Sequence, residues 1–146
     1  MKRPLMYCTA AISLVAPTIA FAQTATFKTT GGESTVVGIT GSIGSFQDGT
    51  SIATYSDGST RNETWTCIGV SESPNNKVFD MLFVCDHNSE VGSYMIKFGC
   101  NNLNADGLRG CIGGIAGKSG IYEGKLGGAT WSGTDGTGLG TIQWLE

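Results

Sequence analysis

Two stretches decide how this chain folds: Val78-Phe79-Asp80-Met81-Leu82-Phe83-Val84-Cys85-Asp86 and Gly92-Ser93-Tyr94-Met95-Ile96-Lys97-Phe98-Gly99-Cys100. Neighbouring side chains of an extended strand point to opposite faces. Phe79, Met81, Phe83 and Cys85 therefore share one face of the first stretch, and Tyr94, Ile96, Phe98 and Cys100 share one face of the second. A third stretch, Thr60 to Val70, puts Trp65 and Cys67 together in the same way. Each cysteine lies on the aromatic face, so that face is read as inward and Trp65, Phe83 and Phe98 as core. The positions between are mixed. Thr64, Thr66, Asp80, Asp86 and Lys97 suit solvent, whereas Ile68, Leu82 and Val84 suggest partial cover. A closed barrel fits this better than an open sheet, because closure removes exposed edges.

The rest of the chain agrees. Short β-rich runs alternate with Gly, Asp-Gly and Asn clusters, and helical periodicity is nearly absent. Further strands are expected at Thr24–Thr29, Ser34–Thr40, Ser51–Ser56, Leu108–Ile112, Ala129–Ser132 and Leu139–Leu145. Asp57-Gly58 is a two-residue hairpin signal between Ser51–Ser56 and Thr60–Val70. Gly113 to Gly128 is so rich in glycine that it reads as irregular, with room for a turn of helix. The expected fold is all-β, an antiparallel barrel of about eight strands, with a β-sandwich as the alternative.

Met1 to Ala22 reads as a cleaved signal peptide. Lys2 and Arg3 precede a mostly apolar run, and Ala20-Phe21-Ala22 supplies small residues at the positions a signal peptidase inspects. Residues 23–146 are then a single domain in a periplasmic or extracellular setting. The chain carries a formal net charge of −3, made more negative by loss of the two basic leader residues. An electrostatic nucleic-acid binder is excluded on that sign, and no later apolar run is long enough for a transmembrane helix.

Removing Cys8 leaves Cys67, Cys85, Cys100 and Cys111, an even set for an oxidising compartment. A hairpin turning near Ala105 places Cys100 opposite Cys111. Cys67 and Cys85 belong to the preceding pair of strands. The expected disulfides are Cys67–Cys85 and Cys100–Cys111, although a bulge near Cys67 would favour another pairing.

Few residues advertise chemistry. His87, the one histidine, follows Asp86, but adjacent strand residues point apart, so it reads as an exposed turn histidine rather than an oriented base. Asn102, Asn104, Asp106 and Gly107 resemble the opening of a calcium loop, yet Gly113 stands where the bidentate acid belongs. An ordinary turn explains them equally. Neither a metal nor a cofactor is expected. Alternation from Trp65 and Cys67 turns Arg61 and Glu63 inward, where they form a polar mouth for a ligand or protrude into solvent.

The carboxy-terminal run Gly113-Gly114, Gly117, Ser119-Gly120, Tyr122-Glu123-Gly124, Gly127 and Thr130 resembles the glycine-patterned segment of allene oxide cyclase and dirigent proteins. It is similar also to small secreted bacterial barrel proteins of unknown function. The resemblance implies an eight-stranded barrel able to hold a hydrophobic ligand, in families that associate as trimers. It carries over no catalytic residue. The resulting expectation is a barrel that binds a small apolar ligand, with Arg61, Glu63 and Tyr122 as candidate contacts, or that serves as an envelope structural module. A protein-interaction or inhibitor module with an envelope partner is the alternative, followed by a cyclase- or isomerase-like enzyme.

Overall fold

The computed structural model describes residues 23–39, 42–71 and 78–145. The leader expected at 1–22 lies outside them. Eight strands follow one another: β1 (Thr24–Ile39), β2 (Ser42–Tyr55), β3 (Thr60–Ser71), β4 (Met81–Ser89), β5 (Gly92–Asn102), β6 (Arg109–Gly120), β7 (Leu126–Thr134) and β8 (Thr137–Leu145). Each pairs antiparallel with the next, and β8 pairs with β1 to close the barrel. The Asp57-Gly58 turn joins β2 to β3 as expected. Gly58 takes a positive φ of 82°, and the Asp57 carboxylate accepts the Ser59 amide at 2.8 Å and its hydroxyl at 2.6 Å. Those two bonds hold the Asp57 carboxyl below the ordinary aspartate range.

Alternation places the core. Along β3 the buried side chains are Glu63, Trp65 and Cys67, along β4 Phe83, Cys85 and His87, and along β5 Tyr94, Ile96, Phe98 and Cys100. Trp65, Phe83 and Phe98 are therefore core residues, as the cysteine parity implies. Cys67 faces Cys85 and Cys100 faces Cys111 directly across their ladders, and both pairs are bonded. Each disulfide stabilises by restricting the unfolded chain, about 3 kcal/mol for loops of this size.

Several expectations are corrected. Gly113–Gly120 is regular strand, the outer half of β6, and residues 121–124 form a turn rather than helix. The glycines permit this. A side chain at Gly117 would overlap the Tyr122 carbonyl, so glycine lets the turn fold back and drive Tyr122 into the barrel. β4 begins at Met81, so Phe79 is not on its inward face. The Phe79 ring lies instead over Gly99, on the outward side of β5. Ile68 and Val84 are not covered but exposed, at 64% and 45%. The runs Thr24–Thr29 and Ser34 onward join into one long β1 with a bulge between Gly31 and Ser34.

Candidate functional site

The barrel interior has two unlike halves. One is filled by aromatic rings carrying polar ends. Tyr122, delivered by the turn after β6, shares a 2.7 Å hydrogen bond with the Tyr55 hydroxyl and accepts the Arg61 Nη1 at 2.9 Å. The Arg61 guanidinium also sits 3.9 Å above the Tyr55 ring centroid. Burial would lower the Arg61 pKa, but the hydrogen bond to Tyr122 and the neighbouring phenols outweigh it and raise it. Burial, then the bond to Tyr122, raises the Tyr55 hydroxyl far above the ordinary phenol range. Trp144 stacks on Tyr122 at 5.2 Å between centroids and closes this half.

Glu63 sits next to this group yet is bound elsewhere. Its Oε2 accepts the Tyr94 hydroxyl at 2.6 Å and the Ser51 hydroxyl at 3.2 Å, and lies 3.4 Å from His87 Nδ1. Its Oε1 is buried without a hydrogen-bond partner. Burial, with the Glu63 charge and hydrogen bond added, raises the Tyr94 pKa well above the ordinary value. Arg61 and Tyr122 are thus brought together as expected, whereas Arg61 and Glu63 form no ion pair among the described residues. Glu63 is 3% exposed, so the reading of a protruding, wet strand end does not apply to it.

His87 overturns the reading of an exposed turn residue. β4 runs on to Ser89, so the parity of Phe83 and Cys85 continues and turns His87 inward, 3% exposed. Asp86 faces the other way and pairs with Lys118 at 2.6 Å. The carboxylate beside His87 comes from β3 instead. Its ring stacks on Tyr94, 4.8 Å between centroids, and meets Phe27 edge-on at 6.4 Å. The signal was present in the strand parity and needed only one more residue of strand.

The other half of the interior holds a cavity of about 50 Å³. Rings of Phe27, Trp65, Phe83, Phe98 and Trp131 line it together with all four cysteines of the two disulfides. That volume has room for a few waters or a small apolar group, taking roughly 10–15 Å³ per water on this measure. Only a few lining residues carry strong polar groups, among them His87 and Arg109. Arg109 makes no ion pair among the described residues, and its Nε is buried without a partner. Arg61, Glu63 and Tyr122 do not line this space. Sequence reading missed Arg109 because it sits at the start of a strand that looked shorter and glycine-broken. The Asn104 carboxamide oxygen is used by its own turn, accepting the Asp106 and Leu108 amides at 3.1 and 3.0 Å.

Among the described residues no helix is long and apolar enough to cross a membrane. The two disulfides fit an oxidising, exported environment. Comparison of the chain with protein-family models, with curated proteins and with solved structures finds no match.

Proposed function

We propose that this protein is an exported binding barrel, periplasmic or extracellular, that holds a small apolar molecule between its two disulfides. The observation that carries this reading is the aromatic cavity with an arginine on its wall whose guanidinium lies 6.0 Å from the Phe83 ring centroid and whose Nε is buried without a hydrogen-bond partner among the described residues. An eight-stranded barrel has an interior that side chains can fill completely. Here four inward positions carry cysteine, a small residue that a disulfide pulls flat against the wall, and the centre of that half stays open. Apolar walls with very few polar groups are the usual composition of a small-molecule site. Arg109 supplies attraction for a carbonyl or carboxylate on the occupant. The glycine-segment resemblance to ligand-holding barrels points the same way.

Trp65 and Trp131 line the cavity and give a direct readout. Titration with acetone or acetate, which match a cavity of about 50 Å³, should change tryptophan fluorescence saturably, and Phe98→Trp, which fills the space, should abolish the change. Native mass spectrometry of protein purified from its source should show an added small molecule. A fluorescence signal flat with both probes, together with a ligand-free native mass, would overturn the reading.

A second reading, contact with an envelope protein, draws on the outer wall. Phe46, Ile68 and Val84 are neighbours in register across β2, β3 and β4 and are all exposed. Contiguous exposed apolar groups mark interaction surfaces more often than chance.

A further inference from the structure

We infer that His87 is a general base facing the cavity, one that removes a proton from the carbon next to the carbonyl of a small apolar ketone. The inference rests on the reading that the cavity binds such a molecule and adds an activity to it. His87 has both of its ring nitrogens placed for different tasks. Nδ1 lies 3.4 Å from Glu63 Oε2 and 3.4 Å from the Tyr94 hydroxyl. The ring lines the cavity, and its contacts with the Tyr94 hydroxyl and the Glu63 carboxylate are both made at Nδ1, the nitrogen opposite Nε2. A base oriented by a carboxylate at one nitrogen and open to a ligand at the other is the arrangement proton transfer requires. Hydrogen bonds of catalytic groups are commonly long before a ligand binds and tighten afterwards.

The cluster has no economical explanation in stability. Glu63 is buried and its Oε1 is unpartnered, and no Lys or Arg pairs with it among the described residues. A buried carboxylate in such company costs free energy that an apolar residue of similar size would not. The surroundings nonetheless hold it with care. Tyr94 and Ser51 both donate to the oxygen that faces His87, and the Tyr94 and Phe27 rings fix the imidazole. Glu63 is a positioning residue, fixing the ring and balancing the charge it acquires. Arg109 lines the same cavity, and its guanidinium suits the negative oxygen formed in the step.

The step balances without any co-reactant. The α C–H bond breaks and its proton goes to His87 Nε2. The electron pair of that bond becomes the C=C of an enolate, and the carbonyl π pair moves onto oxygen. Return of a proton from the imidazolium, to the same carbon or to a conjugated one, regenerates the base and gives exchange or double-bond isomerisation. The substrate class is therefore an apolar ketone with an acidic α C–H.

The test uses the intact disulfide-bonded protein with acetone, a ketone small enough for a cavity of about 50 Å³, in heavy water, following loss of its α-proton signal by NMR while tryptophan fluorescence reports binding. Wild type should exchange the α protons well above the buffer rate. His87→Gln should lose about 100-fold or more of that acceleration yet still bind the ketone. Glu63→Gln should lower the saturated exchange rate while leaving the ketone dissociation constant nearly unchanged, a split that loss of packing alone does not produce. Because His87 is the single histidine, histidine-selective 15N labelling gives one imidazole pair. Its Nε2 signal should move on adding ketone, which tests the contact in unmutated protein. If acetone binds but exchanges no faster than in buffer, or as fast in His87→Gln, or leaves the Nε2 signal unmoved, the base is overturned and the binding reading stands. If acetone and acetate both fail to bind, both fall together.

Discussion

The two halves of the barrel interior are built on the same eight strands with the same alternation, yet one is filled and the other is hollow. In the filled half the rings of Tyr94, Tyr122 and Trp144 meet one another. The Tyr55 and Tyr122 hydroxyls share a hydrogen bond, Arg61 donates to Tyr122, and Tyr94 donates to Glu63, while Trp144 Nε1 is buried without a partner among the described residues. In the hollow half the rings stand around the wall, and the disulfides occupy inward positions with little volume. Strand geometry is thus indifferent to whether a small barrel is a packed core or a container. Side-chain volume at a handful of inward positions decides it. Glu63 and His87 stand where the halves meet, which explains why a polar cluster tied to the filled half can present a nitrogen to the hollow one.

The largest test of this contrast is truncation of one large ring on each side. Trp144 is 1% exposed and packed on all sides, so Trp144→Ala should open a new void and cost near the top of the ~3–5 kcal/mol usual for such changes. Phe98 is 8% exposed and already borders the cavity, so Phe98→Ala should cost nearer the lower end. Denaturant melts of the two variants measure it. Equal losses, or a larger loss at Phe98, would mean that the two halves are packed alike.

A smaller effect separates the bridges from the rings. Replacing Cys100 and Cys111 together by alanine should cost about 3 kcal/mol through the unfolded chain, with the near-ultraviolet spectrum of the aromatic residues largely kept. The ladder around Cys100 and Cys111 continues in register on both sides, from Phe98 and Gly113 to Asn102 and Arg109, so backbone pairing does not depend on the bond. Thermal melts with and without the pair give the number. Complete loss of the fold would show that the bridge makes the barrel rather than fastening it.

How much of this was legible in the sequence follows the same division. The barrel and both disulfides could be read because Trp65, Phe83 and Phe98 each stand two residues from a cysteine on one strand. That local parity survives whatever the register turns out to be. The site was harder. Arg61, Glu63 and Tyr122 were found as inward or conspicuous residues, but which of them touch depends on cross-strand register, set by a bulge between Ser93 and Tyr94 and by the fold-back at Gly117. His87 was misplaced by ending its strand at Asp86, since Asp-His-Asn looks like a turn by composition while tertiary pairing with Trp65 and Tyr94 keeps it extended. Its replacement by alanine should accordingly disturb a buried cluster, not a turn. The glycine-rich segment hid a strand for a related reason: glycine weakens intrinsic strand preference, and the ladders on either side of β6 supply what propensity lacks.

The smallest effect is invisible at neutral pH and appears only in alkali. Tyr94 and Tyr55 both have hydroxyls whose pKa in the folded barrel is raised, by burial first and then by Glu63 for Tyr94 and by Tyr122 for Tyr55. In the unfolded chain each titrates near 10. Below that pH both states carry the phenolic proton and the stabilisation is fully present. Above it the unfolded chain loses protons that the folded barrel keeps, so unfolding releases protons and rising pH favours it. The melting temperature should therefore hold steady from pH 7 to 9 and fall progressively between pH 10 and 11. Tyr55→Phe should melt close to wild type at pH 8 and show a shallower alkaline fall, because it removes one of the two groups while leaving the hollow half untouched. Phe83→Leu, a change confined to the cavity wall, should shift the whole curve downward without altering its slope. If the alkaline slope of Tyr55→Phe matches wild type and that of Phe83→Leu does not, the buried phenols are not what distinguishes the filled half.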